Sequence, residues 1–103
     1  MKEIQQRIKQ FCETHGMSSS PEHRALDMMS EMGEVAKELL KMTDYGTKER
    51  EFREEMKGEL GDLLFSLVTL ANSMDVDLSE ALEAVLAKYE KRIEKGSAGS
   101  ENE

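Results

Sequence analysis

Apolar residues recur along this chain at the three- and four-residue spacing of amphipathic helices. No stretch shows the strict alternation of a half-buried strand, and the single proline stands where a helix begins. Four segments carry the helical pattern, and the predicted helices cover about residues 1–14, 21–42, 48–74 and 78–95. The pattern therefore predicts an all-α chain with a four-helix bundle-like architecture.

Polar residues that cap helices precede three of the predicted segments. Ser20 places a hydroxyl immediately before the proline of the second helix. Thr47 is expected to cap the third helix. Asp77, with Glu80 three residues later, resembles a capping box at the start of the last helix.

The third predicted helix is apolar over more than half of its circumference between residues 60 and 71, which predicts a central, buried position. Acidic residues on its remaining arc give way to small hydroxyl side chains further along the helix. These residues are Ser66, Thr69 and Ser73. Small side chains on one face either allow close helix packing or form the floor of a pocket, and the sequence leaves both interpretations open.

Two turns share one acidic pattern, Glu31-Met32-Gly33-Glu34 on the second helix and Glu59-Leu60-Gly61-Asp62 on the third. Because positions i and i+3 lie on one side of a helix, the two carboxylates of each turn point the same way. Four such carboxylates repel one another unless a cation or protons relieve them. If the turns face each other, they form an all-oxygen pocket suited to Mg²⁺; unrelated surface acids are the alternative. The glycine inside each turn costs roughly 1 kcal/mol of helix stability, which close approach of backbone, metal or ligand would offset.

Composition narrows the classes of partner. With 14 basic and 22 acidic residues the net charge is -8, which argues against nucleic acid or a membrane surface as the main partner. The single cysteine, Cys12, excludes an intrachain disulfide and fits a cytoplasmic location, where we expect it to be a small, partly buried apolar residue. The apolar run of the third helix falls short of the roughly 20 residues of a membrane span. We expect one domain over residues 1–95 and a disordered tail over residues 96–103.

Other metal sites do not fit the sequence. Cysteine- or histidine-rich spacing of the zinc type is absent. A di-iron carboxylate bundle needs histidine three residues after glutamate, and neither His15 nor His23 follows a glutamate at that distance.

The two acidic turns together resemble the characteristic pattern of the MazG-like nucleotide pyrophosphohydrolases, a family of the all-α nucleoside triphosphate pyrophosphatase superfamily. The resemblance continues after the second turn through four further stretches of the chain, residues 63–68, 70–72, 77–82 and 88–92. It thus covers about residues 21–93, and it implies the MazG-type all-α fold.

The resemblance implies Mg²⁺-dependent hydrolysis of a nucleoside triphosphate between its α and β phosphates, giving a monophosphate and pyrophosphate. It implies four carboxylate ligands for Mg²⁺, namely Glu31, Glu34, Glu59 and Asp62. It also implies that cations of the last helix hold the β and γ phosphates, namely Lys88, Arg92 and, beside them, Lys91. Family members assemble as homodimers or homotetramers, and the same is expected here.

The sequence departs from the family pattern at informative positions. Ser30 stands where a further glutamate usually precedes the first ligand, so either Glu38, one turn beyond Glu34, or a metal-bound hydroxide would serve in place of that glutamate as the base. Leu86 replaces an asparagine that many members carry. With no tryptophan in the chain, stacking on the base would fall to an aromatic residue such as Phe11 or Tyr45.

Two other functions remain open at this point. The serine at position 30 motivates the alternative of a non-catalytic helical module that binds a nucleotide or a partner without cleavage. A related enzyme acting on phosphoribosyl-ATP would share the fold and the class of chemistry.

Overall fold

The computed structural model describes residues 1–96, and within this range it contains four α-helices and no strand. The helices are α1 (Lys2–Thr14), α2 (Pro21–Met42), α3 (Glu55–Ser73) and α4 (Leu78–Glu94). The predicted all-α fold with four helices is thereby confirmed. No helix among the described residues is both long and apolar enough to cross a membrane. Apart from Gly96, the predicted tail lies outside the described residues.

Local capping chemistry sets the starts of α2 and α4, as predicted. The Ser20 hydroxyl oxygen accepts a hydrogen bond of 3.1 Å from the backbone N–H of His23, with Pro21 in the first turn. The Asp77 carboxylate accepts from two backbone N–H groups in the first turn of α4, at 2.8 and 3.3 Å. Such bonds satisfy donors that a helix start otherwise leaves without a partner.

Helix α3 begins at Glu55, so the predicted earlier start and the predicted cap Thr47 are wrong. Residues 43–47 instead form turns, in which Asp44 and Tyr45 adopt left-handed φ values of 48° and 59°. The Thr47 hydroxyl donates to the carbonyl of Asp44 at 2.7 Å, which closes a turn and caps no helix.

Contacts with α2 explain the later start of α3. The Arg53 guanidinium donates from Nε to the carboxylate of Glu38, whose side chain is only 7% exposed. The backbone N–H of Glu51 donates to the carbonyl of Met42 at 2.9 Å. Both pairings need an irregular segment before α3, and together they outweigh the helix propensity of the charged residues there.

The core lies between α2 and α3, and α1 packs on α3. The buried apolar side chains come from α2 and α3 and are Val35, Met42, Met56, Val68 and Ala71. Helix α3 is therefore central, as its apolar run predicts. Leu60 and Leu64 lie on the same face, between Met56 and Val68, yet they remain exposed.

One buried polar side chain, Gln5, fastens α1 to the turn between α3 and α4. Its Nε2 donates to Asn72 Oδ1 at 3.0 Å and to the carbonyl of Val76 at 2.9 Å. Its Oε1 accepts from the N–H of Leu78 at 2.9 Å, and Asn72 Nδ2 donates to the Gln5 carbonyl at 3.1 Å. Every polar atom of the Gln5 side chain thus has a partner, which is what burial of an amide requires.

Helix α4 lies largely outside this packed body. It buries none of its residues among those described, and its packing on the other helices is sparse. The radius of gyration is 17.0 Å, whereas a compact domain of this length has about 13 Å. The accessible surface is 7766 Å², whereas a compact monomer of this mass exposes about 5,900 Å². The single chain therefore leaves apolar surface that it does not bury itself.

Candidate active site

The acidic turns of α2 and α3 face each other. Glu31 from α2 and both Glu59 and Asp62 from α3 bring carboxylate oxygens within 4.8 Å of one another. Glu38 meets Arg53 just before α3, and Glu31 meets the second turn of α3, so the two helices run antiparallel. The structure thus brings together three of the four acids that the repeated pattern singles out.

Glu34, the fourth acid, is exposed and lies outside this group of three. It is nevertheless close enough to act on the group electrostatically, because its charge raises the pKa of Glu59 more than any other carboxylate does. Glu34 is therefore placed at the edge of the centre.

Burial and the acidic surroundings of the centre shift the pKa of Glu59. Its partial burial raises the pKa of its carboxyl group above the ordinary value, and the charges of four neighbouring acids raise it further. In decreasing order of effect these neighbours are Glu34, Asp62, Glu31 and Glu38. Since the surrounding charge is all negative, a cation held between the carboxylates would relieve the repulsion.

The donor set fits a hard divalent cation. The three grouped side chains offer only carboxylate oxygens, which Mg²⁺ and Mn²⁺ accept readily, and no thiolate or imidazole joins them among residues 1–96. A packed apolar cluster of Val35, Met42 and Met56, with Leu63 against it, holds the two acidic turns in place. The candidate centre therefore rests on the best-packed part of the chain.

Glu38 has a partner that sequence patterns did not reveal. Its carboxylate accepts a hydrogen bond from Arg53, and this bond, together with the Glu38 charge, raises the pKa of Arg53. A second acid, Glu55, lies 3.9 Å from the same guanidinium. The signal in the sequence was an arginine in the charged segment before α3. Its pairing could not be foreseen because that segment was expected to be helical.

The predicted phosphate-binding cations, Lys88, Lys91 and Arg92, lie on α4. None of them contributes to the pKa of Glu59, and α4 packs only sparsely on the pair of helices that carries the acids. The Lys88 ammonium and the Arg92 guanidinium lie 5.2 and 5.5 Å from the ring centroid of Tyr89 on the same helix. Within one copy, the structure does not bring these cations into the carboxylate group.

The two glycines of the acidic turns lie in open space. A methyl group added at Gly33 or Gly61 would meet no atom within 4 Å beyond the adjoining residues and backbone of its own helix. Close packing within the chain therefore does not account for these glycines.

Comparison with known proteins settles the family. Residues 19–97 match the model of the MazG nucleotide pyrophosphohydrolase domain. The chain belongs to this family. The resemblance drawn from the two acidic turns is thereby confirmed, and enzymes of the family generally depend on divalent metals.

Two relatives are similar in sequence to this MazG domain. YpjD of Bacillus subtilis strain 168 is 38% identical over 93 residues, which are 87% of this chain and 79% of the relative. The Gene 37 protein of Mycobacterium phage L5 is 34% identical over 74 residues, which are 69% of this chain and 64% of the relative.

Two crystal structures share the fold. YpjD from Bacillus subtilis, a candidate pyrophosphatase, superposes with a TM-score of 0.74 at 35% identity, covering 89% of this chain and 94% of YpjD. A MazG protein conserved in Bacillus, a nucleotide pyrophosphohydrolase, gives a TM-score of 0.72 at 29% identity, with coverages of 85% and 86%. These similarities confirm the MazG-type all-α fold.

Proposed function

We propose that this MazG domain is a Mg²⁺-dependent nucleoside triphosphate pyrophosphohydrolase, which cleaves between the α and β phosphates and releases a monophosphate and pyrophosphate. The observation that carries the proposal is the group of three carboxylates on facing turns of α2 and α3. It stands in a chain whose residues 19–97 match a nucleotide pyrophosphohydrolase domain.

In this proposal Glu31, Glu59 and Asp62 hold the cation, with Glu34 at the edge of the same centre. A bound divalent cation would offset charge on phosphate oxygens and acidify a water molecule. The chain's own contribution is to fix the carboxylates on two packed helices, so that the charged site does not have to be assembled at each turnover.

Glu38 is the proposed proton acceptor for the attacking water, with Arg53 orienting its carboxylate. If so, Glu38→Gln should lower kcat by about a hundredfold or more, while Arg53→Met should lower it less. Glu38→Gln protein that retains kcat, measured beside its melting temperature, would limit Glu38 to anchoring the segment before α3.

The proposal includes assembly into a homodimer or homotetramer. The chain exposes roughly 1,900 Å² more surface than a compact monomer of its mass, which exceeds the roughly 800 Å² that each partner buries in a standard protein interface. Exposed apolar side chains occur on several helices, and those of α4 are Leu82, Leu86, Tyr89 and Ile93. In the assembly, α4 of one copy would pack on another and bring Lys88, Lys91 and Arg92 to the β and γ phosphates.

The decisive assay incubates the purified chain with a panel of ribo- and deoxyribonucleoside triphosphates and Mg²⁺. Monophosphate and pyrophosphate should appear in equal amounts, and EDTA should stop their release. Glu49→Gln is the control for variants of the acidic residues, because it removes one negative charge from an exposed side chain in the segment before α3. Nucleotide binding by calorimetry without any cleavage would favour the alternative of a non-catalytic module, which Ser30 motivates.

We also propose a cytoplasmic location, because the single Cys12 cannot form an intrachain disulfide and suits a reducing compartment. Fractionation of cells that produce the protein tests this, and recovery from an oxidising compartment would contradict it.

A further inference from the structure

A cavity lies near the end of the α2–α3 pair where α2 begins and α3 ends. It has about 410 Å³ of volume between α1, the α1–α2 loop and the last turns of α3. Its ionisable lining residues are Lys9, Cys12, Glu13 and Arg24, and Thr69, Asn72 and Ser73 line it from α3. Its volume falls in the range of small-molecule sites, and no member of the carboxylate group lines it.

The cavity and the carboxylates share one face of the helix pair. Arg24 lies seven residues before Glu31 on α2, and Thr69 lies seven residues after Asp62 on α3. Residues seven apart face the same way and are separated by about 10 Å along the helix. Because α2 and α3 run antiparallel, both displacements lead to the same end of the pair. That separation is comparable to the length of a nucleotide from its α phosphate to its base.

Arg24 supplies hydrogen-bond donors to the cavity. It is only 9% exposed, and one of its terminal nitrogens donates to the carbonyl of Met17 at 3.0 Å. Within residues 1–96 it forms no ion pair with a carboxylate. A guanidinium carries five N–H donors, so a buried one with a single such bond can bind acceptors of a ligand.

The side of the cavity formed by α3 supplies acceptors instead. The Thr69 hydroxyl donates to the carbonyl of Ser66 at 2.9 Å, and the Ser73 hydroxyl donates to the carbonyl of Leu70 at 2.6 Å. With their protons engaged, both hydroxyl oxygens offer only lone pairs to a ligand. The complementary ligand therefore carries acceptors toward Arg24 and a donor toward α3.

We propose that this cavity receives the base of the nucleotide whose phosphates bind at the carboxylates, and that Arg24 and Thr69 determine which base is accepted. This inference rests on the proposed function. The edge of a nucleobase carries donors and acceptors side by side. A phosphate has only acceptors, which would suit Lys9 and Arg24 but would face the lone pairs of α3 and the carboxylate of Glu13. Among residues 1–96 no aromatic side chain lines the cavity, and the ring of Phe11 instead packs tilted against His15 and edge-on against Phe65. Recognition there therefore uses hydrogen bonds.

Cys12 reports directly on whether the cavity is occupied, because it is the only cysteine and its partly exposed thiol lines the cavity. The probe is the rate at which Cys12 reacts with a thiol-specific disulfide reagent, in Mg²⁺ with either a nucleoside monophosphate or inorganic tripolyphosphate. The monophosphate should slow the reaction at least about fivefold at saturation, and tripolyphosphate should leave the rate unchanged. Equal protection by tripolyphosphate, or no protection by any monophosphate, would overturn the base site. Hydrolysis of triphosphates by the same preparation, measured in parallel, tests the proposed function separately.

Kinetics of two variants give an independent test. Arg24→Met and the nearly isosteric Thr69→Val should each raise KM for the preferred nucleotide about tenfold and narrow the preference among bases, with kcat changed less than about twofold. Arg7→Met removes an exposed arginine from α1 and should behave as wild type. Retention of wild-type KM and base preference by a folded Thr69→Val protein would contradict the proposal, even if Arg24→Met fails to fold.

Discussion

The helix pair α2–α3 and the last helix α4 carry comparable apolar patterns, but they use them differently. Helices α2 and α3 bury Val35, Met42 and Met56 in one cluster between them and hold three carboxylates within 4.8 Å. Other large apolar side chains of these helices, such as Leu26 and Leu60, remain exposed. Helix α4 has an equally regular apolar stripe and buries none of it. An amphipathic helix with an unburied stripe is not stable in isolation, since most helical stability comes from packing.

The difference shows which parts of the proposed enzyme one copy can complete. The carboxylates need only the α2–α3 contact, so a single chain assembles them. In our proposal the cations of α4 act only when another copy packs against this helix, since α4 packs sparsely on its own chain. We therefore expect substitutions among the carboxylates to lower activity alone, and substitutions in the apolar surface of α4 to disturb the assembly of copies.

Asp62→Ala should have the largest effect, lowering kcat by about a thousandfold through loss of a metal ligand. Because Asp62 is exposed, the fold and the mass in solution should not change. Pyrophosphate release and light scattering on the same sample check both expectations. Activity near that of wild type would remove Asp62 from the site.

Lys88→Glu should come next, with about a hundredfold loss in kcat/KM, because a phosphate contact is replaced by a repulsive charge. The sharper experiment mixes Asp62→Ala and Lys88→Glu chains by joint refolding. If α4 of one copy serves the carboxylates of another, mixed assemblies contain some fully wild-type sites and regain activity. No regain, despite mixed assemblies on a native gel, would place Lys88 at its own chain's centre.

Leu82→Lys should lower activity about tenfold by placing a charge in the apolar surface of α4 where copies pack. The mass by light scattering should shift toward that of a single chain. Glu83→Lys adds the same side chain at the adjacent, exposed position of α4 and is the control. An unchanged mass and activity for Leu82→Lys would show that α4 does not form the interface.

The smallest effect concerns pH. Because the pKa of Glu59 is raised in the folded state, the folded chain binds the proton of the Glu59 carboxyl group more tightly than the unfolded chain does. Without metal, its contribution to stability is thus fully present below the ordinary pKa of a glutamate and declines as pH rises through the raised value. Melting temperatures in EDTA should show this decline for wild type and for Glu49→Gln, and less of it for Glu59→Gln. Mg²⁺ should offset it. Identical pH profiles for wild type and Glu59→Gln would contradict the account.

Features governed by neighbours along the chain could be predicted from the sequence. The caps at Ser20 and Asp77 and the two acidic turns follow from rules that act over three or four residues. Because the same acidic pattern, with two acids three residues apart, occurs on two helices, the two turns could be expected to face each other. Carboxylates of Glu31, Glu59 and Asp62 do come together.

Features that depend on contacts distant in sequence could not be predicted in this way. Helix α3 starts later than the sequence predicts because Arg53 pairs with Glu38, and that contact outweighs the local helix propensity. The burial of Arg24 depends on how α1 and the following loop pack against α2. Its one signal in the sequence was its spacing of seven residues from Glu31, which gains meaning only once the antiparallel packing of α2 and α3 is known.

The central claim is that facing turns of α2 and α3 hold divalent cations that act on a nucleotide. Anomalous diffraction from crystals grown with Mn²⁺ and a nucleoside monophosphate tests it most directly. The account predicts a manganese peak coordinated by oxygens of Glu31, Glu59 and Asp62, with the phosphate on its open side. Manganese bound elsewhere, with these three carboxylates facing only water, would contradict it.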